Sequence, residues 1–94
     1  MSVVNISIGQ LVTSNAGRDQ ATIYLVVGIL RSKYLLLVNG RERKFKNPKQ
    51  KNIRHVNVLQ SIAQGVAEKI QSGMKITDEE IRQAIKVLCK PDNL

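Results

Sequence analysis

The chain has 94 residues, 43% of them hydrophobic, which fits one small globular domain with a modest core. Fifteen Lys and Arg residues against seven Asp and Glu residues give a net charge of +8. One cysteine and one histidine exclude an internal disulfide and a cysteine-based zinc site, so no cofactor is expected. Two Tyr and one Phe are too few for a surface that reads single-stranded bases by stacking.

The pattern of hydrophobic residues argues against a membrane protein. No apolar run approaches the ~18–20 residues that a helix needs to cross a bilayer. The N-terminus lacks the basic segment and apolar run of a signal peptide. We therefore expect a cytoplasmic protein that does not contact a membrane.

The net charge is concentrated in residues 31–55, which we call the basic segment. It holds nine basic residues and one acid, Glu42, whereas the charges of residues 1–30 and of residues 56–94 cancel. A local positive potential of this kind is typical of a surface that binds a polyanion. The alternative is a solvated charged face, but such faces usually mix both signs.

Two strands are predicted near the N-terminus. Residues 9–14 alternate between apolar and polar side chains, and residues 15–19 have the composition of a turn. Residues 20–30 are rich in β-branched residues and apolar on both faces, which predicts a strand covered on both sides. Gly28 marks a bend or bulge in this strand.

A hairpin is predicted next. Residues 31–33 form a polar break before a third strand at residues 34–38. The dipeptide Asn39-Gly40 is a strong signal for a hairpin turn, which predicts a fourth, basic strand over residues 41–46.

The sheet is expected to close shortly afterwards. Residues 47–52 have the composition of a loop, and residues 53–56 suit a short closing strand. Five short strands at this spacing indicate an SH3-like barrel or a small sandwich.

The hydrophobic period becomes helical after residue 56, which is the predicted boundary between a barrel (residues 1–56) and a two-helix extension (residues 57–94). Asn57 is the predicted cap of the first helix, and Ser72-Gly73 its end. Thr77 and Glu80 form a capping box for the second helix. The short loop between the helices predicts a helical hairpin.

The first two strands carry a recognisable pattern. The residues are Gly9-Gln-Leu-Val12, then Ala16-Gly17-Arg18-Asp19, then Ile23 and an apolar run. This pattern resembles the KOW motif. With the basic segment and Asn52-Ile-Arg-His55, the chain looks like the bacterial KOW-domain relatives of the archaeal and eukaryotic large-subunit ribosomal protein family L-fourteen-e. The resemblance covers roughly residues 6–56.

The resemblance implies an SH3-like barrel whose loops bind structured RNA, often ribosomal RNA. It places Gly17 and Arg18 in the loop after the first strand, with Arg18 reaching a phosphate, and Arg54 near RNA in the closing strand. One departure is Ala21, where many KOW motifs have glycine. Alanine restricts the backbone of that turn and puts a close approach of RNA there in doubt.

The candidate RNA-binding residues share a positive or titratable side chain in or near the basic segment. They are Arg18, Lys33, Arg41, Arg43, Lys44, Lys46, Lys49, Lys51, Arg54 and His55. In a strand over residues 41–46, alternate bases face opposite sides, so only some of them could contact one RNA. For Arg18 the alternative is an ion pair on the surface, and for His55 a structural role. Phe45 is expected in the core.

Nothing in the sequence indicates catalysis. The acids at residues 78–80 fit helix capping and the helix dipole, and no glycine loop could cradle a phosphate. We therefore expect no enzymatic activity.

The leading hypothesis is an RNA-binding protein of translation, associated with the ribosome or resembling a ribosomal protein. Large-subunit ribosomal RNA is its expected partner, with ribosomal proteins as further candidates. The alternative is a protein-interaction module that docks a translation or transcription partner through the helical hairpin. A binder of double-stranded DNA ranks last, because neither helix has a basic face for a groove. The sequence leaves open which RNA is bound, the oligomeric state, and whether the protein is a permanent ribosome component or a transient factor.

Overall fold

The computed structural model describes residues 5–14 and 22–89. Over these residues the chain forms a five-stranded antiparallel sheet and two α-helices. The strands are β1 (Gln10–Ser14), β2 (Ile23–Leu30), β3 (Tyr34–Val38), β4 (Lys49–Asn52) and β5 (Val56–Ile62). The helices are α1 (Gln64–Gln71) and α2 (Asp78–Leu88). The fold is therefore mixed, with β-structure leading and helices following.

The first three strands confirm the predictions made from alternation and β-propensity. The sheet order is β4-β3-β2-β1-β5, with antiparallel neighbours throughout. The register of β2 against β3 shifts between Val26 and Gly28, so the irregularity predicted at Gly28 is confirmed. Sequence-adjacent strands β1, β2 and β3 pair in order because short turns favour antiparallel neighbours.

Both faces of the sheet are buried, as the apolar faces of β2 predicted. On one face, sheet residues such as Leu11 and Leu25 pack with Val66 of α1 and Ile81 of α2. The buried residues of the other face are Val12, Tyr24, Val26, Leu35, Leu37 and Val56. The helices therefore cover one side of the sheet while β5 contributes to the core on the other.

The connection between β4 and β5 shows that the sheet is strongly curled. These two strands lie at opposite ends of the sheet order, yet only the 3₁₀ turn Ile53–His55 separates them. Five strands in a flat sheet would hold the outer strands about 19 Å apart. The four residue steps from Asn52 to Val56 span at most about 14 Å. The outer strands must therefore approach each other at this end.

The predicted fourth strand over residues 41–46 is wrong, and the loop predicted at residues 47–52 contains the actual fourth strand, β4. The Asn39 side chain accepts hydrogen bonds from the backbone N–H groups of Arg41 (2.9 Å) and Arg43 (3.0 Å). The carbonyl of Arg43 in turn accepts from the N–H groups of Asn39 and Gly40. The turn thus satisfies its own backbone, and residues 41–46 leave the sheet.

The predicted closing strand at residues 53–56 and the helix start at Asn57 are also wrong. Residues 53–55 form the 3₁₀ turn, and β5 occupies the first part of the predicted helix. Residues 56–62 pair with the edge of β1 instead, and Val12 lies opposite Val58. Gln10 Nε2 also donates a hydrogen bond to the Leu59 carbonyl at 2.7 Å. Helix α1 begins only at Gln64. The division into two domains stays a prediction, although β5 runs across its boundary.

Helix α2 starts as the sequence predicted. The N–H of Glu80 donates to Thr77 Oγ1 at 3.1 Å, and the N–H of Thr77 donates to a Glu80 carboxylate oxygen at 2.9 Å, which completes the capping box. Ile76 before the cap and Ile81 after it are buried in the same core cluster. This contact fixes how the chain enters α2 and places its first turns against the sheet.

Candidate nucleic-acid interface

The basic side chains of residues 31–55 lie in three places rather than on one face. The tip group, at the β2–β3 turn and the 3₁₀ turn, consists of Arg31, Lys33, Arg54 and His55. The loop group, in the loop after β3, consists of Arg41, Arg43, Lys44 and Lys46. The strand lysines, on β4, are Lys49 and Lys51.

The tip group is assembled by backbone hydrogen bonds between two turns. The N–H of Lys33 donates to the Leu30 carbonyl at 2.9 Å and closes the β2–β3 turn. The N–H of Ile53 donates to the Lys33 carbonyl at 2.9 Å, which holds the 3₁₀ turn beside the hairpin. Asn52 caps that turn by accepting from the N–H of Arg54 at 2.9 Å. All four side chains of the tip group are exposed.

The loop group rests on the beginning of α2. A carboxylate oxygen of Asp78 accepts a hydrogen bond from the N–H of Phe45 at 2.8 Å. Arg82 Nη1 donates to the Gly40 carbonyl at 2.6 Å. Phe45 is half-buried and packs on the core shared by the sheet and helices, in agreement with the prediction for this residue. The helix therefore positions the loop that carries four bases.

The closeness of loop and helix depends on Gly40. Its φ is +77°, and a Cβ built there would lie 2.7 Å from both the Asp78 carbonyl oxygen and Arg82 Cγ. Only glycine combines this backbone conformation with this approach.

The strand lysines are half-buried. Lys49 lies opposite Leu37, and Lys51 opposite Leu35, so both lysines share a face with buried core residues. Lys49 Nζ is 5.7 Å from the centroid of the Tyr24 ring, within range of a cation–π contact. Part of each lysine side chain therefore covers apolar surface, and neither lysine is as exposed as the bases of the tip group.

The length of β3 separates the tip group from the loop group. Its five residues, at about 3.3 Å each, place the two groups roughly 17 Å apart or more. The structure thus brings Lys33, Arg54 and His55 together but sets Arg41, Arg43, Lys44 and Lys46 apart from them. Arg18, the remaining candidate, and Gly17 lie outside the described residues.

Acidic residues accompany the loop group. Glu42 accepts from Asn39 Nδ2 at 3.0 Å within the same turn, and Glu79 pairs with Arg82 at 2.6 Å. Hydrogen bonds from Arg82 and Gln83 lower the pKa of Glu79, so it stays ionised at neutral pH. Residues 22–41 and 43–67 contain no acid, so these two stretches of the chain provide no negative charge to offset the positive charge of the tip group.

Arg31 belongs to the tip group but not to the residues predicted as candidates. The sequence placed it in a polar break between strands, and charge alone did not distinguish it. The signal that could have found it is position, because a residue at the tip of a tight hairpin is exposed on every side.

Two open cavities adjoin the helices. One, of about 720 Å³, lies between the loop group and α2 and includes Arg41, Arg82 and Gln83 in its lining. The other, of about 590 Å³, is an apolar groove between α1 and α2 that includes Val66 and Val87.

The described residues contain neither a cluster of metal ligands nor a helix that could span a membrane. In residues 5–14 and 22–89, no cluster of three or more His, Cys, Asp or Glu side chains could hold a metal ion. Neither α1 nor α2 is long and apolar enough to cross a membrane.

The chain is similar to a known protein, although it matches no protein-family profile. No protein-family profile matches the chain. The chain is 34% identical over 71 residues to a Bacillus subtilis (strain 168) protein named "Putative ribosome-binding protein YbzG". The match covers 76% of this chain and 96% of the relative. The resemblance to the KOW motif and to the L-fourteen-e family stays a prediction. Identity and coverage at this level show that the chain belongs to the family of the YbzG protein.

Proposed function

We propose that this protein is a cytoplasmic, ribosome-associated protein that binds large-subunit ribosomal RNA through the basic segment. One observation carries the proposal: the whole net charge of the chain lies on residues 31–55, mostly on exposed turns and loops. The name of its relative, "Putative ribosome-binding protein YbzG", supports the ribosome as the place where that RNA is met. The proposed role is binding in translation, without catalysis.

We further propose that the sheet is an SH3-like barrel of the KOW type. The support is the antiparallel order of the five described strands and the three-residue 3₁₀ turn that links the two outer strands. The core shared by Leu35 and Leu37 of β3 with Val56 of β5 is the packing that such a curled sheet needs.

The mechanism follows from the chemistry of the exposed bases. Lys and Arg side chains displace counterions from RNA phosphates, and the released ions favour binding. The major groove of A-form RNA is too deep and narrow to admit the sheet, so turns and loops contact phosphates and 2′-hydroxyl groups instead. If about five phosphates are neutralised, log K falls with log salt at a slope of roughly −3 to −5.

The test combines sedimentation with a binding titration. Tagged protein in cell lysate is run on sucrose gradients at low and raised salt, and the purified protein is titrated with large-subunit ribosomal RNA. We expect migration with the large subunit at low salt, release at high salt, and direct RNA binding with the slope above. Protein that stays at the top of the low-salt gradient and does not bind the RNA would refute the proposal.

Charge reversal identifies the surface used. The variant Lys44→Glu/Lys46→Glu changes two exposed bases of the loop group. The control Lys75→Glu/Lys86→Glu changes two exposed bases outside the basic segment and lowers the net charge by the same amount. We expect the first variant to lose RNA binding and the control to retain most of it. Equal losses would mean that only the overall charge matters.

The apolar groove between α1 and α2 favours one alternative, docking of a protein partner on the helices. Val87, which lines it, is 65% exposed, an unusual fraction for a large apolar side chain. In this case Val87→Lys would release the protein from ribosomes, while the loop-group variant would remain bound.

A further inference from the structure

The β2–β3 turn holds two residues in an unfavourable backbone conformation. Arg31 and Ser32 both have a φ of 54°, and no other non-glycine residue among residues 5–14 and 22–89 has a positive φ. This left-handed region brings the Cβ of an L-residue too close to the next carbonyl oxygen. Gly9, Gly40 and Gly73, which also have positive φ, avoid that contact.

The turn geometry has a preferred sequence that this chain does not use. The hydrogen bond from Lys33 N–H to the Leu30 carbonyl closes the turn, and both central residues have positive φ, the pattern of a type I′ turn. Asn-Gly fits such a turn best, since Asn tolerates the left-handed region and Gly has no Cβ. The chain has Arg-Ser there instead.

Internal contacts do not explain the arginine. Its side chain is exposed, and within the described part of the chain no hydrogen bond or ion pair involves it. Among the described residues, the fold therefore gives no polar contact that would offset the cost of an arginine in this turn.

The surroundings of Arg31 fit a phosphate. Lys33 in the same turn is exposed, as are Arg54 and His55 in the 3₁₀ turn, and the hydrogen bond from the Ile53 N–H to the Lys33 carbonyl holds the two turns together. The acids of the described residues lie elsewhere, at Glu42 and on α1 and α2. The two turns that carry the tip group therefore contain no acid of their own.

We propose that Arg31 contacts the phosphate backbone of folded RNA, and that the chain tolerates the strain at this position because the contact requires an arginine there. The proposal rests on the RNA-binding function proposed above and extends it to a residue that the sequence did not single out. It makes an unusual demand, because removing Arg31 must stabilise the protein and weaken binding at once.

The test uses the double variant Arg31→Asn/Ser32→Gly. We expect its Tm to rise by about 2–6 °C, as the strain of the turn is relieved. Its affinity for large-subunit ribosomal RNA falls roughly ten- to a hundredfold, since a charged hydrogen bond to phosphate is lost. The slope of log K against log salt becomes shallower by about 0.7–0.9, the contribution of one phosphate contact.

Two controls separate strain from contact. Ser32→Gly relieves strain and keeps the arginine, so its Tm rises while its affinity and salt slope stay at the wild-type values. Lys75→Asn removes one positive charge from an exposed position outside the basic segment and leaves the affinity nearly unchanged.

The outcomes distinguish this inference from the proposed function. If the wild-type protein binds the RNA and the double variant binds equally well with the same salt slope, the inference is overturned and the proposed function stands. A double variant with a lowered Tm would also overturn it, because Arg31 would then be structural. If the wild-type protein does not bind the RNA, the proposed function itself fails.

Discussion

The contact between the loop group and α2 predicts a large loss of stability for Gly40→Ala. Alanine at a φ of +77° costs about 1–2 kcal/mol, and its smaller unfolded-state entropy returns roughly 0.5–1 kcal/mol. The new Cβ would also lie 2.7 Å from the Asp78 carbonyl oxygen, which is backbone. Separating loop from helix to relieve this contact costs about 1–3 kcal/mol. The free energy of unfolding should therefore fall by about 1.5–4 kcal/mol in total.

Two other glycines serve as matched controls, since they remove one cause at a time. Gly73 has a φ of +76° but no atom within 4 Å of a built Cβ, so Gly73→Ala reports the backbone strain alone. We expect it to lose about 0.5–1 kcal/mol. Gly65, in α1, has neither a positive φ nor a neighbour within 4 Å, and Gly65→Ala should gain about 0.5–1 kcal/mol.

Urea unfolding followed by circular dichroism measures the series. A shift of the midpoint at constant m-value reports stability, whereas a changed m-value would signal an altered unfolded or native state. From the most to the least stable protein, the expected order is Gly65→Ala, wild type, Gly73→Ala and Gly40→Ala. If Gly40→Ala is no less stable than Gly73→Ala, the loop does not pack on α2 and the reasoning is wrong.

Two further substitutions test α2. Ile81→Ala removes most of a fully buried side chain and should lower the free energy of unfolding by about 2–5 kcal/mol, as measured by urea titration. A loss below about 1 kcal/mol would mean that α2 is not part of the core. A hydrogen bond from Lys69, and a smaller contribution from the Thr77 backbone N–H, lower the pKa of Glu80 below its ordinary value of 4.5. The ionised carboxylate therefore stabilises the fold at a pH above 4.5, and this stabilisation is lost as the pH falls through the lowered pKa. The Tm difference between wild type and Glu80→Gln should therefore be widest at neutral pH and narrow as the pH falls through the lowered pKa of Glu80. A difference that does not change with pH would exclude this ionic contribution.

Local signals predicted the parts of this fold that local chemistry determines. The alternation and β-propensity of residues 23–38 gave two strands and their bulge, and the Thr77–Glu80 capping box fixed the start of α2. Each depends on residues within a few positions of one another, so the sequence alone contained the cause.

The wrong predictions between residues 41 and 62 share one physical reason, which is competition from distant residues. Asn39-Gly40 does reverse the chain, but α2, some forty positions later, binds the turn through Asp78 and Arg82 and so keeps residues 41–46 out of the sheet. The predicted helix from Asn57 had the right spacing, yet the open edge of β1 offered residues 56–62 a set of hydrogen bonds that outweighed it. Periodicity does not reveal which distant edge needs a partner.

The candidate interface was predicted by composition but not by arrangement. Counting charges was enough to define residues 31–55 as the basic segment, because charge is a property of the sequence. Its division into a tip group and a loop group depends on where β3 begins and ends and on the loop's attachment to α2. The prominence of Arg31 depends on a backbone angle that no residue type at that position would suggest.

The pairing of β1 with β5 also has a consequence for how the chain folds. Val12 of β1 pairs with Val58 of β5, so this pairing joins residues that lie far apart in the chain. Pairing over such a distance forms slowly compared with a local hairpin. Until β5 pairs with it, β1 has an unpaired edge that can form hydrogen bonds with a strand of another chain. The 3₁₀ turn that carries Arg54 and His55 leads directly into β5, so it is anchored at both ends only when this last pairing forms. In the growing polypeptide, protection of the aggregation-prone edge and completion of the basic tip are therefore one late event.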